Sequence, residues 1–512
     1  MNYFKKAEPV IFYLLVFIHA LPVITLHFFP TVDGPAHLYN SNLINHFFSS
    51  SSSEVHDYFS FNAEPEPNWL GHLLLCLFNL ILPSFVAEKL IMLIYIVSLP
   101  VVFRLLIKRV SPGNIYATYF IFPFIYTLMF YLGFYNFCLS ISLLIYLLHY
   151  RYIRNDTVRS KVVFAGLLLL LYFAHLFSFL LFIAIDLYFY LWKTIKNKNN
   201  GFMLRRAIRN LLPYLPGLSL TVNFILKKGS DGSLSFLPAS TLLTGLKESA
   251  PLITLNHDNE YFFTTFLSGT WLALFLVITG IRIKNKQGIN VNDNWLLIAC
   301  FILLAYFVLP DDAATGGYIS MRIALFFLIF FVFWLAIHSI HKVIYFITAL
   351  CCVTISLVLL NKHYNDSKLL SADASEMYSA VDFIAEGKNI LPLNYSGNWL
   401  HANFSNYLGS EKNIIVLDNY EAAKPHFPLK WKENKCPYNV AGDFADSNSP
   451  CLTLERYEGV SGVKVDYITR WYYNVNITDS CTLLVNNLLQ DKFEKVYTSP
   501  QQKMEVFKRV RI

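Results

Sequence analysis

Apolar runs recur along this chain at lengths that fit a lipid bilayer, and that pattern constrains its fold more than any motif does. They cover residues 10–29, 85–106, 115–130, 134–148, 162–174, 177–192, 211–226, 262–281, 296–309, 323–340 and 343–360. A helix needs about 20 apolar residues to cross a hydrocarbon layer ~30 Å thick. The sequence therefore predicts a polytopic α-helical membrane protein with about eleven transmembrane helices, several of them short. Of 512 residues, 55% are hydrophobic and only 15% charged, where a soluble domain carries roughly 25%. The run 10–29 follows Lys5 and Lys6 but exceeds a signal-peptide core and lacks a small-x-small cleavage site, so it reads as a retained first span.

The net charge is +7, but the Lys and Arg residues sit at the ends of apolar runs, where they set membrane orientation rather than bind nucleic acid. Arg104, Lys108 and Arg109, then Arg151 and Arg154, the segment 193–209, and Arg282, Lys284 and Lys286 all fall on one side. The amino terminus is expected in the cytoplasm and the tail outside. Lys161 on one flank and Lys193 and Lys196 on the other make 162–192 a two-helix hairpin turning near His175. The apolar segment 69–82 is too short to cross and reads as a re-entrant or interfacial helix.

Beyond about Asn361 the chain gains charge and alternates short β-type runs with helical ones, which predicts a soluble α/β domain. The expected organisation is a transmembrane domain over 1–361, with a first outer loop at about 30–84, and an extracytoplasmic domain over 362–512. Within the latter, helices are predicted at 372–386 and 479–489, and strands at 390–393, 414–417, 465–468, 495–498 and 504–508. The serine run 49–53 reads as a loop. Cys76, Cys138, Cys300, Cys351 and Cys352 lie in apolar runs as small hydrophobes. In the tail, a Cys436–Cys451 bridge would leave Cys481 unpaired, although three cysteines allow other pairings. No cysteine spacing reads as a zinc site.

The first outer loop is the richest in chemistry. It places Asp33 just after the first span, then Gly34-Pro35, then His37 and Asn40 three apart on one helical face. A carboxylate there could take a proton from an acceptor hydroxyl or hold a divalent cation; equally, Asp33 could cap the following helix. Asp33-Gly34-Pro35-Ala36-His37, Pro67-Asn68-Trp69, Gly133-Phe134-Tyr135-Asn136-Phe137 and Asp418-Asn419-Tyr420-Glu421, on a chain with one span, a long acidic outer loop, many further spans and an outer domain, resemble blocks of a bacterial branch of the GT-C superfamily. These are integral membrane glycosyltransferases that use polyprenyl-phosphate sugars.

The resemblance implies that Asp33 assists attack of a carbohydrate, lipid or protein acceptor on the anomeric carbon, with lipid phosphate leaving. It implies a polyprenyl-phosphate sugar and membrane lipid as partners. Gly34 stands where some members carry a second acid, so the paired acidic motif is absent.

Other outer-loop groups are weaker candidates for substrate binding. Lys227, Lys228 and Arg322 could hold a lipid phosphate, Arg322 following Asp311 and Asp312 across a Gly316-Gly317 loop; the lysines could instead snorkel. His257, Asp258 and Glu260 precede a span, and His175 sits at the hairpin tip; solvated or structural roles compete for each. Asp186 near Lys193 reads as an inner-interface residue. Asn394, Asn403 and Asn476 begin Asn-x-Ser/Thr sequons. Trp399, His401, Tyr407, Asp418, Tyr420 and Glu421 would give the tail a polar-aromatic surface for sugars. A transporter or flippase of a lipid-linked saccharide, or a non-catalytic scaffold of the same fold, are the competing readings.

Overall fold

The computed structural model describes residues 2–49, 53–197, 211–228, 234–313, 316–444, 450–474 and 479–510. Among these, six helices are long and apolar enough to cross a membrane: Ala7–Thr25, Ser84–Val110, Leu176–Thr194, His257–Lys284, Ile319–Ala336 and Lys342–Phe383. The count of eleven full spans is not reached. Val158–Ala174, Leu215–Lys228 and Asp293–Val308 run 17, 14 and 16 residues, about 21 to 26 Å at 1.5 Å per residue. The run at 115–130 is a 3-10 helix, Ile115–Phe124, followed by a short turn of helix, Leu128–Tyr131. Pro123, which has no N–H to donate, lies inside it.

The chain divides into two compact units. The first comprises Met1–Leu21, Pro65–Leu70 and Leu93–Tyr364 and is helical. Its 162–192 stretch breaks at His175, whose extended backbone separates Val158–Ala174 from Leu176–Asn197. Its buried charges are paired, as burial of an ion requires. Arg104 grips Glu8 with two hydrogen bonds, 2.6 and 2.7 Å, and Tyr119 donates to the same carboxylate at 3.0 Å. Asp186 pairs with Arg151 and Arg154, at the end of the helix Tyr135–Ile153, and accepts from Tyr214. Residues 198–210 of the expected cytoplasmic segment and 50–52 of the serine run lie outside the described residues.

The second unit comprises Pro22–Glu64, Gly71–Met92 and Asn365–Ile512. It thus takes in much of the segment 30–84 as well as the tail. A five-stranded sheet in the order β3-β2-β7-β9-β8 forms its centre. β2 (Asn389–Asn394), β3 (Ile415–Val416) and β7 (Tyr467–Trp471) are parallel, while β9 (Met504–Arg509) runs antiparallel to β7 and to β8 (Phe493–Thr498). β2 and β7 are buried on both faces, with all five residues of β7 buried, Thr469 and Arg470 among them, as expected when a sheet is covered on both sides.

Loop and tail are joined by backbone pairing as well as packing. β1 (Phe59–Phe61) pairs antiparallel with β4 (Leu429–Trp431). α2 (Gly34–Phe48) buries Tyr39, whose hydroxyl donates to the Ile414 carbonyl and accepts from the Val416 amide. Cys451 and Cys481 form the disulfide, with Cα atoms 4.8 Å apart, and Cys436 is free. This corrects the expected Cys436–Cys451 pairing: Cys451 lies in the short strand Cys451–Leu452, which packs against the helix Ser480–Lys492.

Candidate functional site

α2 starts where Pro35 presets a helical backbone angle in its first turn. Asp33 occupies the N-cap position, yet its carboxylate makes no capping hydrogen bond. The Gly34 amide donates instead to the Thr31 hydroxyl at 3.2 Å. The cap reading of Asp33 therefore fails on its side chain. That side chain accepts from the Tyr420 hydroxyl and lies 3.4 Å from Nδ2 of Asn403, which also donates to the Val32 carbonyl at 2.9 Å. Burial, together with the charge of Asp33, pushes the Tyr420 phenol well above its ordinary value. It stays a donor across the physiological range.

One turn on, the His37 amide donates to the Asp33 carbonyl at 2.9 Å, and its ring meets a second constellation. His37 Nδ1 contacts Glu421 Oε1, and His72 Nε2 is 2.9 Å from Glu421 Oε2. Side-chain exposures are 9% for His37, 1% for His72 and 0% for Glu421. Burial opposes the Glu421 charge, but the two imidazoles outweigh it and hold the carboxyl down at about 2. The two imidazole rings are edge to face at 4.9 Å, and the Phe427 ring covers both. One donor atom from each of the three residues lies within 4.8 Å of the others, which makes them the group of described residues able to hold a metal ion.

The segment carrying Tyr420 and Glu421 is fixed from several directions. Asn40 and Asn419 exchange reciprocal amide hydrogen bonds at 3.0 and 2.9 Å, and Trp431 donates to the Asn419 carbonyl at 3.0 Å. Asp418 accepts from Ser405 and Tyr438, and its carbonyl from Asn406. The short amphipathic helix Leu70–Asn79, which supplies His72, is tied to α2 through Asn45 to the Cys76 carbonyl and Asn79 to Ser41. At ten residues it is about 15 Å long, too short to cross a bilayer.

The second unit thus brings together Asp33, His37 and Asn40 with Tyr420 and Glu421. The remaining candidates belong to the first unit. Glu260 is buried and accepts from the amides of Thr254, Leu255 and Asn256, facing His363 at 3.3 Å, so its oxygens serve its own loop. His257 is exposed and pairs with Glu248, and Asp258 is almost fully exposed. Asp311 accepts from the Ser320 amide at the start of Ile319–Ala336, and Asp312 accepts from Ser235. Arg322 lies over the Phe134 ring at 4.7 Å, and His175 is buried edge-on to Phe137. Lys227 is exposed; the side chain of Lys228, like Asn476, lies outside the described residues.

The expected polar-aromatic surface of the tail is largely interior. His401, Tyr407, Asp418 and Glu421 are buried, while Trp399 is 43% exposed. Asn403 is also buried, with its amide engaged by Val32, which removes it as a modification site. His72 was not among the sequence candidates; its one local signal is a histidine on the buried side of a short apolar helix.

No protein-family model matches this sequence, and no curated protein is detectably similar to it. Among solved structures, the chain is similar to the archaeal oligosaccharyltransferase AglB from Archaeoglobus fulgidus, determined in complex with an inhibitory peptide and a dolichol-phosphate. The TM-score is 0.36 and the identity 12%, over 99% of this chain and 75% of that one. At that score the likeness carries no argument about mechanism.

Proposed function

We propose that this chain is a membrane glycosyltransferase that moves a sugar from a polyprenyl-phosphate donor to an acceptor on the extracytoplasmic face, with Asp33 as general base. The observation that carries the reading is the setting of Asp33. Its carboxylate follows the first span, does not cap α2, and is oriented by Tyr420 and Asn403. In the reaction, the acceptor hydroxyl gives its proton to Asp33 as its oxygen attacks the anomeric carbon. The bond from that carbon to phosphate breaks, and polyprenyl phosphate leaves with the electron pair.

The orientation proposed is an inward amino terminus and a periplasmic tail, supported by the placement of Lys108, Arg109, Arg151, Arg154 and Arg282 at helix ends. Arg322, Lys227 and Lys228 are the first unit's candidates for a lipid phosphate. Asp33→Asn keeps the volume and removes the base. Transfer should fall by about 10²- to 10⁴-fold, with expression and melting temperature unchanged. Full activity in that variant would sink the mechanism.

A further inference from the structure

We propose that His37, His72 and Glu421 form a binding site for a divalent transition-metal ion, zinc foremost. The inference stands apart from the transferase reading and needs only the geometry of the second unit.

Three donors arrive from three separate segments: α2, the helix Leu70–Asn79 and the turn Glu421–Ala423 that follows β3. Each is buried, at 7%, 1% and 0% exposure for the whole residues. Zinc takes nitrogen at about 2.0 to 2.1 Å and carboxylate oxygen at about 2.0 to 2.2 Å, so its donors stand roughly 3 to 4 Å apart. The three atoms here already lie within 4.8 Å of one another, a spread that small side-chain rotations close. Two imidazoles and one carboxylate suit zinc and its first-row neighbours, whereas magnesium and calcium take oxygen donors.

One polar atom points the same way. Among the described residues, Glu421 Oε1 is buried and, beyond its ion-pair contact with His37, has no hydrogen-bond partner. Buried polar atoms are normally satisfied, and a cation between the three side chains would engage that oxygen directly. A dication would also balance the Glu421 carboxylate, in a setting lined by Phe427 where an uncompensated charge is costly.

The ligands are held as metal ligands need to be. The Asn40–Asn419 amide pair locks α2 to the segment before Glu421, and the Asn45 and Asn79 hydrogen bonds lock α2 to the helix bearing His72. Three protein ligands leave a fourth position open to water or substrate. His37 lies one turn from Asp33, and Glu421 is adjacent to Tyr420, which donates to Asp33. An ion here would fix both elements that position the proposed base.

The test is elemental analysis of the full-length chain, purified in detergent with its affinity tag removed, after chelation and re-exposure to Zn²⁺. Wild type and Asp33→Asn should each retain about one equivalent, and His72→Ala and Glu421→Gln should fall to background. Replacing zinc with Co²⁺ should give wild type the visible d–d bands of a low-coordinate site. Should the ligand variants fail to fold, the wild-type cobalt spectrum alone decides. Background metal and no such bands in wild type, or equal metal in folded ligand variants, would overturn the site. Loss of transfer in Asp33→Asn with metal retained separates this inference from the proposed reaction.

Discussion

Tyr420 and Glu421 are neighbours in sequence that serve neighbours in space. The phenol donates to Asp33 and the carboxylate meets His37, four residues further along the chain. The Tyr420 hydroxyl therefore orients the proposed base without reacting. Tyr420→Phe removes one hydrogen bond to a charged group, a loss of about 1.5 to 3 kcal/mol, and should lower kcat by roughly 10- to 100-fold while leaving KM for the donor nearly unchanged. Steady-state kinetics check it; a change confined to KM would place Tyr420 in donor binding instead. Asp33, His37 and Asn40 stood out as candidates because they lie close together in sequence and are polar beside an apolar span. His72 and Glu421 were not recognisable as a pair, since their contact spans 349 residues and no local spacing records it.

At the scale of elements, the close approach of α2 to the tail depends on Gly409. A Cβ there would stand 2.3 Å from the Tyr39 ring and 3.2 Å from the Ile414 carbonyl, and Tyr39 is fully buried with its hydroxyl bonded on two sides. Gly409→Ala should cost about 1 to 3 kcal/mol through overpacking, read as a lowered melting temperature. An unchanged melting temperature would show that α2 can retreat freely.

The disulfide gives a second prediction at this scale. Peptide mapping without reduction should find Cys451 linked to Cys481 and alkylated Cys436, because the strand Cys451–Leu452 packs on the helix Ser480–Lys492. A Cys436–Cys451 peptide would contradict the packing of that strand. Strand positions in the tail were readable from short β-type runs such as 390–393 and 414–417. The pairing of β1 with β4 was not, since register between distant segments leaves no trace in composition. The 3-10 stretch Ile115–Phe124 was read as an ordinary helix because an apolar run does not reveal its hydrogen-bond spacing.

For the whole molecule, the membrane class was legible in recurrent apolar runs with few charges, and six of the described helices are long and apolar enough to cross a bilayer. The expected eleven full spans are not confirmed among the described residues: Val158–Ala174 and Asp293–Val308 have 17 and 16 residues. The central claim is chemical, that Asp33 makes this chain a transferase rather than a carrier. It is tested most directly by reconstituting the purified chain in proteoliposomes with labelled polyprenyl-phosphate sugars and an acceptor, and measuring release of polyprenyl phosphate. Wild type should release it and Asp33→Asn should not; equal release by both, or passage of intact donor across the bilayer without release, would contradict the account.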